Sequence, residues 1–194
     1  MSGSDQPRVA TEQIGYSLVA RLFHWTTVAF IAVLVPVGLY MTYRGKELNL
    51  WDATTNLLYS GHKLAGFTLL CLVVLRLIYR VFAGAPDHEP SLSTFHIVAS
   101  KITHWAIYAV LIAMPLAGWI GVSAFPALDT FGGLKLPALV APDKDLAAQA
   151  FAVHGLLGYA LMALVAVHVG AALYHHIVLR NGVLTRMTSG RPRS

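Results

Sequence analysis

Four histidines stand out as the residues able to do chemistry. His154 and His168 lie 14 residues apart in the last long apolar run. On an α-helix that spacing is ~21 Å of rise and ~3.9 turns, so the two share a face to within about 40°. The residues between them, Gly155 to Val167, are almost wholly apolar. An imidazole in such surroundings is costly unless partnered, which makes each a functional candidate. His24 lies in the first apolar run and His62 in the second. If successive runs cross a bilayer in alternating directions, His24 reaches the depth of His168, and His62 that of His154. Two imidazoles from different helices clamping a flat apolar cofactor are how b-type haem is held. Zinc or copper sites instead gather three or four ligands on one ion. Here the ligands separate into twos, and no acid lies inside an apolar run. No Cys-x-x-Cys-His attachment motif is present, so the expected cofactors are two non-covalent b haems. The metal ligands are then His24 and His168 for an inner haem, and His62 and His154 for an outer one.

Neighbouring residues extend the reading. Gly66 follows His62 by four residues and Gly158 follows His154 by four, each one turn along the same face. Both leave room for a macrocycle, although small residues are also common at membrane helix contacts. Arg21, three residues before His24, is placed for a haem propionate; Arg76 and Arg80 could do likewise or snorkel to headgroups. Lys63, beside His62, could meet the outer haem's propionates or attract an anion at an outer mouth. His175 continues the His168 face two turns on, and His104 opens a neighbouring run at a similar depth. Together they could flank a site just outside the inner haem, although polar residues at helix ends would look the same. His88 and His96 lie in or next to a Pro-rich connection, are expected to be solvated, and receive no role.

These side chains need elements to position them, and composition says which. Of 194 residues, 56% are hydrophobic and 12% charged, with mean hydropathy +0.61. A soluble domain carries about a quarter charged residues, so this is a membrane protein. The lone Cys71 excludes a disulfide framework and a thiolate cluster. The net charge of +5 does not indicate nucleic acid, because the cations sit at the ends of apolar runs. The polar start, with Asp5 and Glu12, is not a cleavable leader, and the first apolar run is expected to stay in the mature protein. Four spans are expected, at Leu18 to Met41, Leu57 to Phe82, Phe95 to Gly121 and Leu146 to Leu179. The longest connection, Val122 to Asp145, should lie on the surface as a cap, with room for a short interfacial helix. Nine cations (Arg8, Arg21, Arg76, Arg80, Lys101, Arg180, Arg186, Arg191 and Arg193) fall on one side, and five (Arg44, Lys46, Lys63, Lys135 and Lys144) on the other. Positive-inside then places both termini in the cytoplasm. The expected fold is all-α: a four-transmembrane-helix up-down bundle over residues 18–187, with tails at 1–17 and 188–194.

With these residues in view, the chain resembles the bacterial cytochrome b561 family of diheme membrane cytochromes. The matching stretches are RLFHW at His24, SGHKLAG at His62, THWAIYAVLIAMPLAG at His104 and AVHGLLGYALMALVAVHVGAALYHH at the end. The similarity runs from Tyr16 to Met187. It implies that His24, His62, His154 and His168 are axial haem ligands in an inner-membrane protein. It further implies electron transfer from periplasmic superoxide to ubiquinone near the cytoplasmic face, with His104 and His175 beside the quinone. The periplasmic donor does not carry over safely, because members differ at Lys63. The chain is also similar to, though shorter than, the cytochrome b subunits of membrane hydrogenases and formate dehydrogenases. Those pass electrons between a partner enzyme and quinone.

Overall fold

The computed structural model describes residues 15–189. Four long helices dominate it: α1 (Leu18–Thr42), α2 (Ala53–Ala83), α3 (Thr94–Ala124) and α4 (Lys144–Ile177), followed by the short α5 (Thr185–Thr188). All four long helices are apolar and long enough to cross a membrane; the 34 residues of α4 span ~51 Å against a ~30 Å hydrocarbon core. Among the described residues no strand forms. Of the expected positive-inside cations, Arg8, Arg191 and Arg193 lie outside the described residues, as does most of both expected tails.

Each long helix starts on a side chain that accepts orphan backbone N–H groups: Ser17, Asp52, Ser93 and Asp143. Capping by Asp52 explains why α2 begins four residues before the apolar run at Leu57. The Thr55 N–H, then the Arg44 guanidinium, hold the Asp52 carboxyl below its usual range. The polar stretch after α1 does not unwind at once. It continues as a π-helical turn, Tyr43–Glu47, in which Arg44 reaches Asp52 at 2.6 Å and Thr55 at 2.9 Å. At the far end α4 stops at Ile177, two residues short of expectation.

The long third connection forms a cap, but its tip is not the short interfacial helix the sequence suggested. Asp129 bridges Lys135, and Phe131–Gly133 makes a tight turn between them. Gly132 and Gly133 have φ of 62° and 80°, conformations that favour glycine and do not propagate a helix. The cap is anchored by Trp119 Nε1 donating to the Pro137 carbonyl at 2.8 Å and the Leu139 N–H donating to Ser123 Oγ at 3.2 Å. At the opposite, terminal end, α5 folds back on α1. Arg21 donates to the Thr188 carbonyl at 2.7 Å, and Trp25 Nε1 to that of Met187 at 3.1 Å.

Helix α4 packs closely along α3, and α1 along α2, whereas α4 stands off from α1 and α2. Halfway along the bundle that gap is closed by a layer drawn from all four helices: Leu34, Leu69, Val73, Leu111 and Leu161. Outward-facing apolar side chains such as Val33, Phe82, Ile102, Leu156 and Val167 remain exposed, as a lipid-facing surface requires. In a membrane the drive for helices to associate comes from close packing rather than from leaving water, so this layer and the packing of α2 on α3 join the two halves of the bundle.

Candidate functional site

Leu161 sits seven residues from both His154 and His168, so the leucine layer divides the interior into two tiers. In the tier nearer the cap, the rings of His62 on α2 and His154 on α4 face each other with centroids 6.1 Å apart. In the tier nearer the termini, His24 on α1 and His168 on α4 stand 6.2 Å apart. Metal–nitrogen bonds of ~2.0 Å, plus ~1.2 Å from each nitrogen to its ring centre, put two axial imidazoles about 6.4 Å apart. Both pairs thus have the spacing that one iron between two imidazoles requires.

The outer pair is held by backbone. His154 Nδ1 lies 2.8 Å from the Met114 carbonyl on α3. A carbonyl only accepts, so Nδ1 carries the proton and Nε2 is left with a lone pair for a metal. Gly118, one turn beyond Met114, makes that approach possible: a Cβ there would fall 2.8 Å from His154 Nδ1. Gly38 on α1 does the same for His62, where a Cβ would lie 3.0 Å from Cε1. Sequence reading overlooked both glycines; the available signal was a glycine shortly after a proline in an apolar helix (Pro36 with Gly38, Pro115 with Gly118). Gly66 and Gly158 face open space, with only Met114 Sδ, at 4.0 Å, near the latter. His62 Nδ1 is buried with no hydrogen-bond partner. Open room beside both glycines and facing imidazoles fit a macrocycle at this level.

The inner pair is surrounded by cations. Arg76 on α2 places Nη2 3.1 Å from His24 Nδ1 and its guanidinium 5.3 Å from the Tyr108 ring centre. Arg80 lies over Tyr16 at 5.8 Å. Arg21 Nε is buried and unpaired, a donor suited to an anionic group such as a propionate. His104 packs on His168, with centroids 5.2 Å apart.

The histidines toward the terminal end each meet another imidazole, His104 that of His168 and His175 that of His96, the latter with centroids 4.9 Å apart. His96, expected to be solvated, is half-buried because the first turn of α3 sets it against His175 at the end of α4. Lys63 does not project freely at an outer mouth. Its amine donates to the Ala127 carbonyl at 2.9 Å and to that of Asp129, so it straps the cap to α2.

Four apolar helices presenting paired imidazoles to their interior define a membrane cytochrome of b type. Residues 15–190 match the family described as prokaryotic cytochrome b561, and the chain belongs to that family of membrane electron-transfer, b-type haem proteins. It is 28% identical to cytochrome b561 homolog 2 of Escherichia coli K12 over 173 residues, covering 89% of this chain and 90% of that protein. It is likewise 28% identical to homolog 1 of the same organism, covering 87% and 93%. A probable superoxide oxidase CybB of Yersinia pestis is 29% identical over 126 residues, 65% of this chain and 72% of the relative.

Proposed function

We propose that this chain is a superoxide:ubiquinone oxidoreductase of the bacterial inner membrane. His62 and His154 would hold one b haem and His24 and His168 a second, which together would supply one-electron couples between the cap side and the terminal side. The observation that carries this reading is the two facing imidazole pairs, 6.1 and 6.2 Å apart, on either side of the leucine layer. An imidazole from each of two helices would hold each group, whose chemistry would be one-electron transfer. The protein's own residues supply the rest. Leu34, Leu69, Val73, Leu111 and Leu161 keep water from between the tiers. Lys63 remains cationic while bonded to carbonyls, so the cap side keeps a positive charge that draws an anion such as superoxide. The relative named a probable superoxide oxidase supports that donor. Arg21 and Arg76 hold cationic donors near the inner pair. Beyond them, His104 and His175 mark where a quinone would bind, with the termini in the cytoplasm as the cation distribution favours.

Stopped-flow mixing with superoxide tests the reading. The haems should reduce rapidly, and be reoxidised when ubiquinone is added. Reduction only in the presence of a partner dehydrogenase or hydrogenase would favour a cytochrome b subunit instead. His175→Ala should keep both haem spectra and reduction by superoxide, but slow electron delivery to quinone by about tenfold or more. His176→Ala should do much less.

A further inference from the structure

Immediately after α4 the chain reverses at Arg180, whose φ of 51° is left-handed and costs a non-glycine residue roughly 1 kcal/mol. The turn closes with the Asn181 N–H donating to the His175 carbonyl at 3.1 Å. It also brings the Asn181 side chain beneath the His175 ring, which is only 7% exposed. Asn181 Nδ2 lies 3.0 Å from His175 Nδ1 and 3.3 Å from Ser91 Oγ.

Which way the Asn181 amide points decides the state of the histidine, and two separate contacts fix it. The Val183 N–H donates to Asn181 Oδ1 at 3.4 Å, which reserves the oxygen. Ser91 gives its own hydroxyl proton to the Glu89 carboxylate, which also accepts the Ser91 N–H at 2.9 Å. The Ser91 oxygen is therefore left to accept, and it faces an amide nitrogen. Both constraints turn the NH2 group toward His175. Its Nδ1 must then accept, and the ring proton must sit on Nε2, on the edge away from Asn181.

We infer that Asn181 is a positioning residue that locks His175 as the Nε2–H tautomer, making it a hydrogen-bond donor to a quinone carbonyl and not a carrier of protons. Giving up the Nε2 proton would leave an imidazolate. Taking a second proton at Nδ1 would require the amide to turn over, against both Val183 and Ser91. His175 thus recognises its ligand with a fixed donor. This rests on the placement of the quinone at the terminal end proposed above.

The tautomer is read directly by 15N NMR of the dithionite-reduced holoprotein, whose low-spin ferrous haems are diamagnetic, with His175 assigned by difference from His175→Gln. Nε2 should be protonated and Nδ1 bare, and Asn181→Ala should lose that preference. A protonated Nδ1 in the parent protein overturns the inference. Steady-state quinone reduction gives a second reading. His175→Gln keeps a side-chain donor without a titrating ring, and should hold kcat within about threefold of the parent. Asn181→Ala should raise KM for ubiquinone roughly fivefold, the scale of one hydrogen bond, with kcat little changed. A His175→Gln kcat as low as that of His175→Ala would mean that the ring delivers protons, and the inference would fall. If His175→Ala reduced quinone like the parent, the quinone placement would fall instead, while the NMR result would still decide the tautomer.

Discussion

The two histidine tiers pair the same side chain at nearly the same separation, yet the protein builds them from different materials. Around His62 and His154 the support is backbone: a carbonyl on Nδ1 of His154, and glycines at 38 and 118 that let α1 and α3 press against the rings. Around His24 and His168 the support is charge: Arg76 against His24, Arg21 with a buried unpaired Nε, Arg80 over Tyr16. The reason lies in depth and direction. A second site that holds an electron more readily than the first favours net transfer in that direction. Reduction removes one positive charge from a ferric centre, so nearby cations favour the reduced form. The arginine-rich tier lies where electrons are proposed to arrive, and the backbone-held tier where they are proposed to enter.

The largest effect should come from deleting the proposed haem ligands. His62→Ala and His154→Ala should each remove the same haem, and His24→Ala and His168→Ala the other, so that a pyridine haemochrome assay falls from two haems per chain to one. Identical residual spectra from His24→Ala and His154→Ala would break the division into tiers. Next in size are the glycines. Gly118→Ala puts a methyl 2.8 Å from His154 Nδ1, an overpacking expected to cost about 1–3 kcal/mol, and should weaken the outer haem alone. Gly66→Ala meets no protein atom within 4 Å, so it should be silent if lipid or solvent fills that space and should lower outer haem content if a macrocycle does.

The charge contrast is tested by Arg76→Gln. A unit charge ~7 Å from a metal on the far nitrogen of His24, at an effective dielectric of ~20–30, is worth about 2 kcal/mol, roughly 80 mV for one electron. Spectroelectrochemical titration should show the inner midpoint potential falling by about that much, with the outer one unmoved. The smallest change is expected from Lys63→Met, which removes the strap to Ala127 and Asp129 and one cation from the cap. The cap around 126–137 should become more open to proteolysis. The rate of haem reduction by superoxide should fall a few-fold and lose part of its salt dependence, while both potentials hold.

The sequence by itself determined the four spans, their approximate ends and the four histidines brought into two facing pairs. Those features follow from local quantities: the length of an apolar run, the 3.6-residue period that keeps His154 and His168 on one face, and the cost of an imidazole in hydrocarbon. The cap, too, was legible as a surface connection, though its turn at Gly132 and Gly133 was not. Only the tertiary structure decided what surrounds each histidine. Gly38 and Gly118 acquire their meaning from rings on other helices, 24 and 36 residues away in sequence. Lys63 became a strap because the cap carbonyls fold over it. His96 reached His175, 79 residues further along the chain, because the start of α3 docks against the end of α4, and the left-handed turn at Arg180 folds Asn181 back onto both His175 and Ser91, the latter 90 residues earlier. Periodicity reports which face of its own helix a residue occupies; what lies opposite depends on how the helices and connections dock.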